Sequence, residues 1–341
     1  MSDFDDIEQV RDLAESVFAG SWDSTGVGFD AGLWHTCEEL GLARLTLPEA
    51  AGGSEASFAQ AAAVMRAAGR FAARIPLVET DLVGGWLLHA LGLPVPAGPL
   101  SAIFAADLEV TGRGAGLATG TLRRVPWGRA VAAVAVVAGD KVLLVDPANT
   151  ELDEGANLAE EPRDDLRLSG TAVHVADLRP STAEELLLRA ALGRSQLMAG
   201  AAHQALAMSV RYAAERVQFG RPLAKQQTIQ QMLALAAAEV TAAGTAAQAA
   251  AAEVDAVGFD GAALAIAAAK SRCGEAAGVV VRTAHQVHGA LGFTREHDLR
   301  LVTTRLSAWR DEDGSEAHWN DVLGGRALTV GPSGLWPMLS G

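Results

Sequence analysis

Residues 212–227 read Tyr-Ala-Ala-Glu-Arg-Val-Gln-Phe-Gly-Arg-Pro-Leu-Ala-Lys-Gln-Gln and form a corner between two long helical stretches. The chain before Arg216 is rich in Ala, Leu and Met, which favour a helix. Gly220 and Pro222 interrupt that helix, and a second helix restarts near Lys225. One cation and several amides therefore meet at two helix ends: Arg216, Gln218, Gln226 and Gln227. Such donors suit a diphosphate, although on spacing alone a solvated inter-helix loop is the simpler interpretation.

A second turn lies further along the chain, with the sequence Gln286-Val287-His288-Gly289-Ala290-Leu291-Gly292-Phe293-Thr294. This turn and the motif Arg216-Val217-Gln218-Phe219-Gly220-Arg221-Pro222-Leu223, followed by Gln227, resemble the two flavin-binding motifs of the acyl-CoA dehydrogenase family. A weaker match lies near the N-terminus, where Glu39-Leu40-Gly41-Leu42 leads into Leu47-Pro48-Glu49 and Gly52-Gly53. The matches keep the family's order and cover most of the chain outside its middle.

The composition excludes several classes of protein. The 341 residues carry 27 basic and 41 acidic groups, a net charge of −14, and such acidity argues against nucleic-acid binding. Two cysteines are too few for a disulfide framework or a zinc site, and no ligand cluster accompanies His285 and His288, so we expect no metal. No signal peptide or membrane-length apolar run is evident, so we expect a soluble, cytoplasmic protein without membrane contact.

Three segments of different composition and residue pattern follow one another along the chain. Residues 1–98 show helical spacing of apolar positions and predict an N-terminal helical domain. Residues 99–180 contain short β-branched runs, a hairpin at Gly139-Asp140 and a glycine cluster, Gly112–Gly116, that predicts a loop; they indicate a reduced, mostly antiparallel β domain. Residues 181–341 are alanine-rich and predict a helical bundle that carries the flavin-binding motifs. The fold class is mainly α with a small β domain, and the resemblance implies a C-terminal four-helix bundle.

The resemblance implies that flavin adenine dinucleotide (FAD) lies across a subunit interface. Arg216 would pair with the pyrophosphate, with Gln218 and the backbone around Val217 assisting, and Gln226 and Gln227 occupy the family's polar positions on the next helix. The residues that match the turn at the adenosine half are Gln286, Val287, His288, Gly289 and Ala290. Ala290 departs from the family, which commonly has a second glycine there. His288 is equally well interpreted as a structural histidine.

The chain lacks sequence features that the family uses to hold the flavin ring and the substrate. The family's Thr-Glu-Pro and Gly-Ser-Asp loop has no counterpart near Ile103–Thr111. Dehydrogenation also needs a carboxylate base. One family position for it holds Ala190 and Ala191, and the other aligns with Glu312 and Asp313 in an acidic run that also fits a solvated turn.

The chain keeps the motifs that would bind the adenosine side of the flavin and lacks those that would hold the ring. In this respect it resembles the shorter subunit of the heteromeric, α2β2 acyl-CoA dehydrogenases of actinobacterial steroid catabolism. The leading hypothesis is therefore an acyl-CoA dehydrogenase subunit that completes the flavin site of a longer homologous partner, acts on an acyl-CoA such as a steroid side-chain thioester, and passes electrons to electron-transfer flavoprotein. Two alternatives stay open. The chain is a self-sufficient homomeric dehydrogenase with Glu312 or Asp313 as base, or it is a non-catalytic scaffold that no longer binds flavin.

Overall fold

The N-terminal part of the chain is helical. The computed structural model describes residues 3–23, 25–218 and 220–340. Its first helices are α1 (Asp3–Gly20), α2 (Ala31–Glu39), α3 (Phe58–Arg70) and α4 (Trp86–Ala90), the last preceded by a π-helical turn, Glu79–Gly85. The start of α3 is fixed by a capping box, in which the side chains of Ser57 and Gln60 each accept from the other residue's backbone N–H.

A six-stranded sheet follows, with strands β1 (Leu100–Phe104), β2 (Leu108–Pro126), β3 (Ala133–Ala138), β4 (Lys141–Val145), β5 (Glu151–Asp153) and β6 (Arg163–Asp177). The strand order is β1-β3-β4-β6-β2, with β5 paired to β6. Only the β1–β3 pairing in this sheet is parallel, and β3 and β4 form the hairpin predicted at Gly139-Asp140. The mostly antiparallel prediction is confirmed.

Strand β3 is buried on both faces of the sheet. Its alternate residues point to opposite sides and pack in two different cores. Val134 and Val136 of β3 pack in a core within the β domain, together with Trp127 and Leu166. Their neighbours, including Ala135, pack in the large core that the helices share. The β domain is thereby joined to the helical part through a continuous apolar layer.

The prediction of a loop at the glycine cluster is wrong. Gly114 and Gly116 lie within β2 and pair with Val175 and Val173 of β6. A Cβ built at Gly116 would lie 2.3 Å from the carbonyl oxygen of Thr111, so the glycines allow a close backbone approach rather than a mobile loop.

The C-terminal part is a helical bundle. It comprises α5 (Thr182–Glu215), a short hairpin of β7 (Val217–Gln218) and β8 (Arg221–Pro222), α6 (Gln227–Gly261), α7 (Ala263–His288), α8 (Leu299–Trp309) and α9 (Glu316–Ser340). Helices α5 to α8 pack on one another, and α9 packs on α7. The alanine-rich stretch of α6 buries one face, including Ala243, Ala247 and Ala250. Helices, a small β domain and a helical bundle in this order confirm the expected fold class.

Two glycines set the distance between α3 and α5. A Cβ built at Gly200 would lie 1.9 Å from the carbonyl oxygen of Arg66, and one at Gly69 would lie 2.0 Å from that of Leu197. These distances are far shorter than van der Waals contact, so a side chain at either glycine would prevent the present approach of the two helices. The N-terminal helices are therefore docked directly on the bundle.

We expect Gly200→Ala to destabilise the protein by about 1–3 kcal/mol, because the added methyl group forces α3 and α5 apart. Urea unfolding followed by circular dichroism measures the change. Gly244→Ala is the matched control, since a Cβ at Gly244 in the middle of α6 meets nothing within 4 Å. That variant should be neutral or more stable by up to about 1 kcal/mol, the usual gain in helix propensity. Equal stability losses in the two variants would contradict the direct docking of α3 on α5.

Candidate functional site

The corner after α5 is a compact elbow. The helix ends at Glu215, where Arg216 becomes extended (φ −74°, ψ 118°) and its N–H donates to the carbonyl oxygen of Tyr212 at 2.8 Å. Gly220 has a φ of 76°, a value that favours glycine. The hairpin is closed by the N–H of Leu223, which donates to the carbonyl oxygen of Arg216 at 2.9 Å. Phe219 of this motif lies outside the described residues.

A small buried cluster joins the elbow to the second motif. Leu223 of the elbow, Ala213 of α5 and Val287 of α7 are buried and pack together, each at most 6% exposed. Beside them the ring of His288 stacks on that of Tyr212 with 4.4 Å between centroids. The two motifs, which are far apart in sequence, therefore form one surface.

The predicted flavin-binding residues divide into an exposed group and a buried pair. The exposed or half-exposed group comprises Arg216, Val217, Gln218, Gln226, Gln227, Gln286, Gly289 and Ala290. Val287 and His288 are each 4% exposed. The side chain of Val287 packs in the buried cluster and is not exposed to a ligand on the surface.

The exposed surface has the character of an anion site. The guanidinium of Arg216 forms no hydrogen bond or ion pair with any residue that the structure describes. Helix α6 begins close by, and its N-cap residue, Gln226, provides no side-chain hydrogen bond to the first turn. The N–H groups of that turn thus remain available at the positive end of the α6 dipole.

The turn at Gly289 leaves room for a bound molecule. Gly289 ends α7 with a φ of 62°, and a Cβ built there would meet nothing within 4 Å. Ala290, the residue at which the chain departs from the family, is itself exposed and outside that space. An unpaired arginine, free helix N–H groups and an open glycine turn fit the diphosphate and adenosine portions of FAD.

His288 lies behind this surface. Its Nδ1 is 2.8 Å from the carbonyl oxygen of Ala284, so Nδ1 carries the proton and donates. Burial lowers the pKa of His288, which favours the neutral ring. Stacked on Tyr212 and bonded to its own helix, His288 holds α7 against α5, as its interpretation as a structural histidine requires.

Glu312 and Asp313 lie on a tight turn between α8 and α9. Lys270 supports this turn by donating from Nζ to the carbonyl oxygens of Arg310 at 3.0 Å and Gly314 at 2.7 Å. Asp313 has a φ of 57° and Gly314 a φ of 92°, so the chain reverses sharply here. Both carboxylates line a cavity of about 370 Å³ between β1, β2, β6 and α5. The predicted solvated turn is therefore only partly solvated.

Two buried arginines hold these carboxylates. Arg163 donates to Glu312 at 2.8 Å, and Arg194 donates to Asp313 at 2.8 Å and lies 3.4 Å from Glu312. Both arginines are at most 4% exposed. Burial alone raises the pKa of Glu312, but Arg194 and Arg163 outweigh it and lower that pKa to about 2. A general base needs the opposite shift, because its pKa must lie near the working pH.

The apolar wall of this cavity stands where the family's flavin-shaping loop is missing. Ile103 and Phe104 of β1 line it, and a three-residue link then leads into β2. Leu186 and Ala190 of α5 lie on the other side. The cavity thus combines a slot of apolar side chains with an ion-paired floor.

Sequence reasoning did not identify Arg163, Arg194 or Glu79 as parts of this site. Arg194 also donates to the buried Glu79 at 2.9 Å, so one guanidinium contacts three carboxylates. A signal was present for Arg194, since it interrupts the long apolar run of α5 and charged residues are rarely buried without partners. No comparable signal marks Arg163, whose burial depends on the pairing of β6.

Two further expectations concern metals and membranes. Within residues 3–23, 25–218 and 220–340, no group of three or more His, Cys, Asp or Glu side chains is arranged to hold a metal ion. In the same residues, no helix has the length and hydropathy needed to cross a bilayer.

The chain matches two family models. Residues 182–324 match the C-terminal domain of acyl-CoA dehydrogenases, and residues 7–94 match their N-terminal domain. Among curated proteins, the acyl-CoA dehydrogenase IpdE2 of Mycolicibacterium smegmatis is 29% identical over 284 residues, which cover 82% of each chain.

Solved structures share the fold. A chain of the ChsE4-ChsE5 complex from Mycobacterium tuberculosis superposes with a TM-score of 0.85 at 21% identity, over 96% of this chain and 98% of that one. A chain of the Tcur3481-Tcur3483 steroid acyl-CoA dehydrogenase superposes with a TM-score of 0.83 at 21% identity, over 95% and 98%. With both terminal domains matched, the chain belongs to the acyl-CoA dehydrogenase family and is an oxidoreductase of that kind.

Proposed function

We propose that this chain is an FAD-dependent acyl-CoA dehydrogenase subunit that completes the flavin site of a longer homologous partner in an α2β2 assembly. The observation that carries the proposal is the unpaired, exposed guanidinium of Arg216 beside the uncapped start of α6. A protein with a net charge of −14 keeps this cation without an acidic partner among the residues described. A ligand with negative charge is the physical complement of such a surface.

In this proposal each residue of the exposed surface has a binding role. Arg216 would hold the pyrophosphate, with Gln218 and the backbone at Val217 beside it, and Gln226 and Gln227 would contribute amides at the start of α6. Gln286 and the open backbone at Gly289 and Ala290 would receive the adenosine half, while Val287 and His288 would position that turn by packing. Bound FAD would supply the hydride acceptor for oxidation of an acyl-CoA thioester.

We assign the catalytic base to the partner chain. The carboxylates of Glu312 and Asp313 are engaged by Arg163 and Arg194, and freeing one of them would remove a counter-ion from a buried guanidinium. Breaking a buried ion pair in this way typically costs several kcal/mol. In this chain the two acids act as structural anions of the turn between α8 and α9.

The substrate class is proposed from the relatives. IpdE2 is named an acyl-CoA dehydrogenase, and the Tcur3481-Tcur3483 protein is described as a steroid acyl-CoA dehydrogenase. ChsE4-ChsE5 is a complex, which supports a second chain here as well. We therefore propose a steroid side-chain CoA thioester as substrate, electron-transfer flavoprotein as the acceptor and the cytoplasm as the compartment.

A second candidate is a self-sufficient enzyme with its own base. It is favoured by one observation, that Glu312 and Asp313 line a cavity to which β1 and α5 also contribute apolar side chains. In that case the turn would have to release one carboxylate when substrate binds. The third candidate, a scaffold without flavin, is distinguished by the first experiment below.

Arg216→Ala should weaken FAD binding by the co-expressed complex at least about tenfold, since a charge-assisted contact to phosphate is worth about 1.5–3 kcal/mol. Flavin absorbance per protein after dialysis against a series of FAD concentrations measures the effect. The chain produced without its partner should be colourless, and the complex should be yellow.

Arg221→Ala is the matched control for Arg216→Ala. Arg221 is an exposed arginine on the other strand of the same hairpin and forms no ion pair with the described residues. Its loss should leave flavin content within about twofold. Unchanged flavin content in Arg216→Ala would favour the scaffold, and full occupancy in the chain alone would contradict the need for a partner.

Glu312→Gln should destabilise the chain by about 2–4 kcal/mol at neutral pH, because Arg163 and Arg194 lose a shared counter-ion. The folded pKa of about 2 lies below the ordinary 4.5. The stabilisation is therefore complete above pH 4.5 and is lost as pH falls towards 2. Urea unfolding at several pH values should show a weaker acid dependence in the variant.

Asp311→Asn provides the comparison, since Asp311 is the exposed neighbour of Glu312 in the same turn. It should leave both stability and its pH dependence nearly unchanged. A Glu312→Gln variant with unaltered stability, retained flavin and abolished turnover would support the self-sufficient enzyme instead.

A further inference from the structure

A cavity unrelated to the flavin surface lies where α1, α3, α5 and α6 meet. It has a volume of about 500 Å³. Its apolar floor is formed by small and branched side chains that are almost fully buried, namely Ala63, Ala67, Ala199 and Val240. The rim carries ionisable and hydroxyl groups, among them Arg11, Arg66 and Thr245.

The charges on this cavity do not balance. Arg70 pairs with Glu15 at 2.8 Å, and Arg11 lies 3.7 Å from Glu8 and 2.9 Å from Asp12. Arg66 has no such partner: its guanidinium forms no hydrogen bond or ion pair with any residue in the described ranges. The local excess of positive charge therefore belongs to Arg66.

Arg66 also differs from the free arginines of the surface because it is half-buried. Burial lowers its pKa, and the nearby Arg11 lowers it further, with no carboxylate acting in the opposite direction. The group nevertheless stays charged, as arginine does in proteins. A half-buried cation that keeps only part of its hydration and has no carboxylate partner can still gain from pairing with an anion.

The backbone at Arg66 is packed closely on α5. The carbonyl oxygen of Arg66 is in the close contact with Gly200 described above. Opposite it, Gly244 of α6 lines the cavity and has open space where a side chain would be. Thr245 and Gln248 on the same helix offer polar groups towards the same space.

We propose that this cavity binds a small organic oxyanion, a carboxylate or phosphate with a short apolar portion, whose charged group pairs with Arg66. The apolar portion lies on the alanine floor, in the space that Gly244 leaves open. This site is separate from the flavin surface, and its occupancy does not depend on the proposed dehydrogenase role.

Isothermal titration calorimetry of the full-length chain with inorganic phosphate, acetate and octanoate tests the proposal. Binding in the millimolar range or tighter is expected for at least one of them. Octanoate binding more tightly than acetate identifies a carboxylate with an apolar tail, whereas phosphate binding most tightly identifies a phosphate ester.

Substitutions at two positions, Arg66 and Gly244, act on different parts of the cavity. Arg66→Gln should weaken binding at least about tenfold, and Arg66→Lys should restore it to within about threefold. Gly244→Leu fills the open space without touching the cation and should also weaken octanoate binding at least about tenfold. Arg211→Gln, in another cavity lined by α5, is the control and should bind as the wild type does.

Several results would overturn the proposal. These are absence of binding up to about 10 mM, equal affinity in Arg66→Gln and the wild type, or binding by the isolated chain that disappears in the complex. The last result would mean that an acidic side chain of the partner occupies the cavity. Flavin content of the Arg66→Gln complex should remain normal, so that failure here is separable from failure of the flavin assignment.

Discussion

The packing of Val287 against Leu223 and Ala213 is the contact on which the proposed site depends. It brings the turn at the end of α7 onto the elbow between α5 and α6, and the stacking of His288 on Tyr212 reinforces it. Because these side chains are apolar or internally bonded, they leave the polar residues of both motifs outside. A surface of donors supported by a small dry core is well suited to hold a ligand with little reorganisation.

The cavity between the sheet and α5 differs from that donor surface, because its charged groups are already paired. There the charged groups satisfy one another, with Arg194 contacting Glu79, Glu312 and Asp313, and Arg163 contacting Glu312. Such a network stabilises one conformation of the turn and holds the pKa of Glu312 at about 2, far below that of a general base. The surface at Arg216 thus offers a cation without an acidic partner among the described residues. The carboxylates in the cavity between the sheet and α5 are already paired with arginines. This contrast supports the proposed division of labour between two unlike subunits.

Much of the fold was predictable from local sequence. Helix α5 ends at Glu215, shortly before the predicted break at Gly220 and Pro222, the hairpin at Gly139-Asp140 formed, and alanine at helical spacing marked the buried face of α6. The glycine cluster in β2 was mispredicted, because a close approach of two backbones and a flexible loop favour the same residue. The two flavin motifs were found as sequences, although only the structure reveals that Val287 and His288 face inward.

The ion-paired turn could not be predicted from its own residues. Glu312 and Asp313 read as either a base or a solvated pair until the positions of Arg163 on β6 and Arg194 on α5 were known. Those partners lie more than a hundred residues away, and their proximity depends on how the sheet docks on the bundle. A pKa is a property of such surroundings, so sequence alone could not choose between the roles.

A solved structure of the flavin-loaded complex tests the central claim most directly. The proposal predicts that the pyrophosphate of each FAD lies within hydrogen-bond distance of Arg216 and the start of α6, with the flavin ring held by the partner chain. A flavin ring seated in this chain's own cavity beside Glu312, with no nucleotide near Arg216, would contradict it.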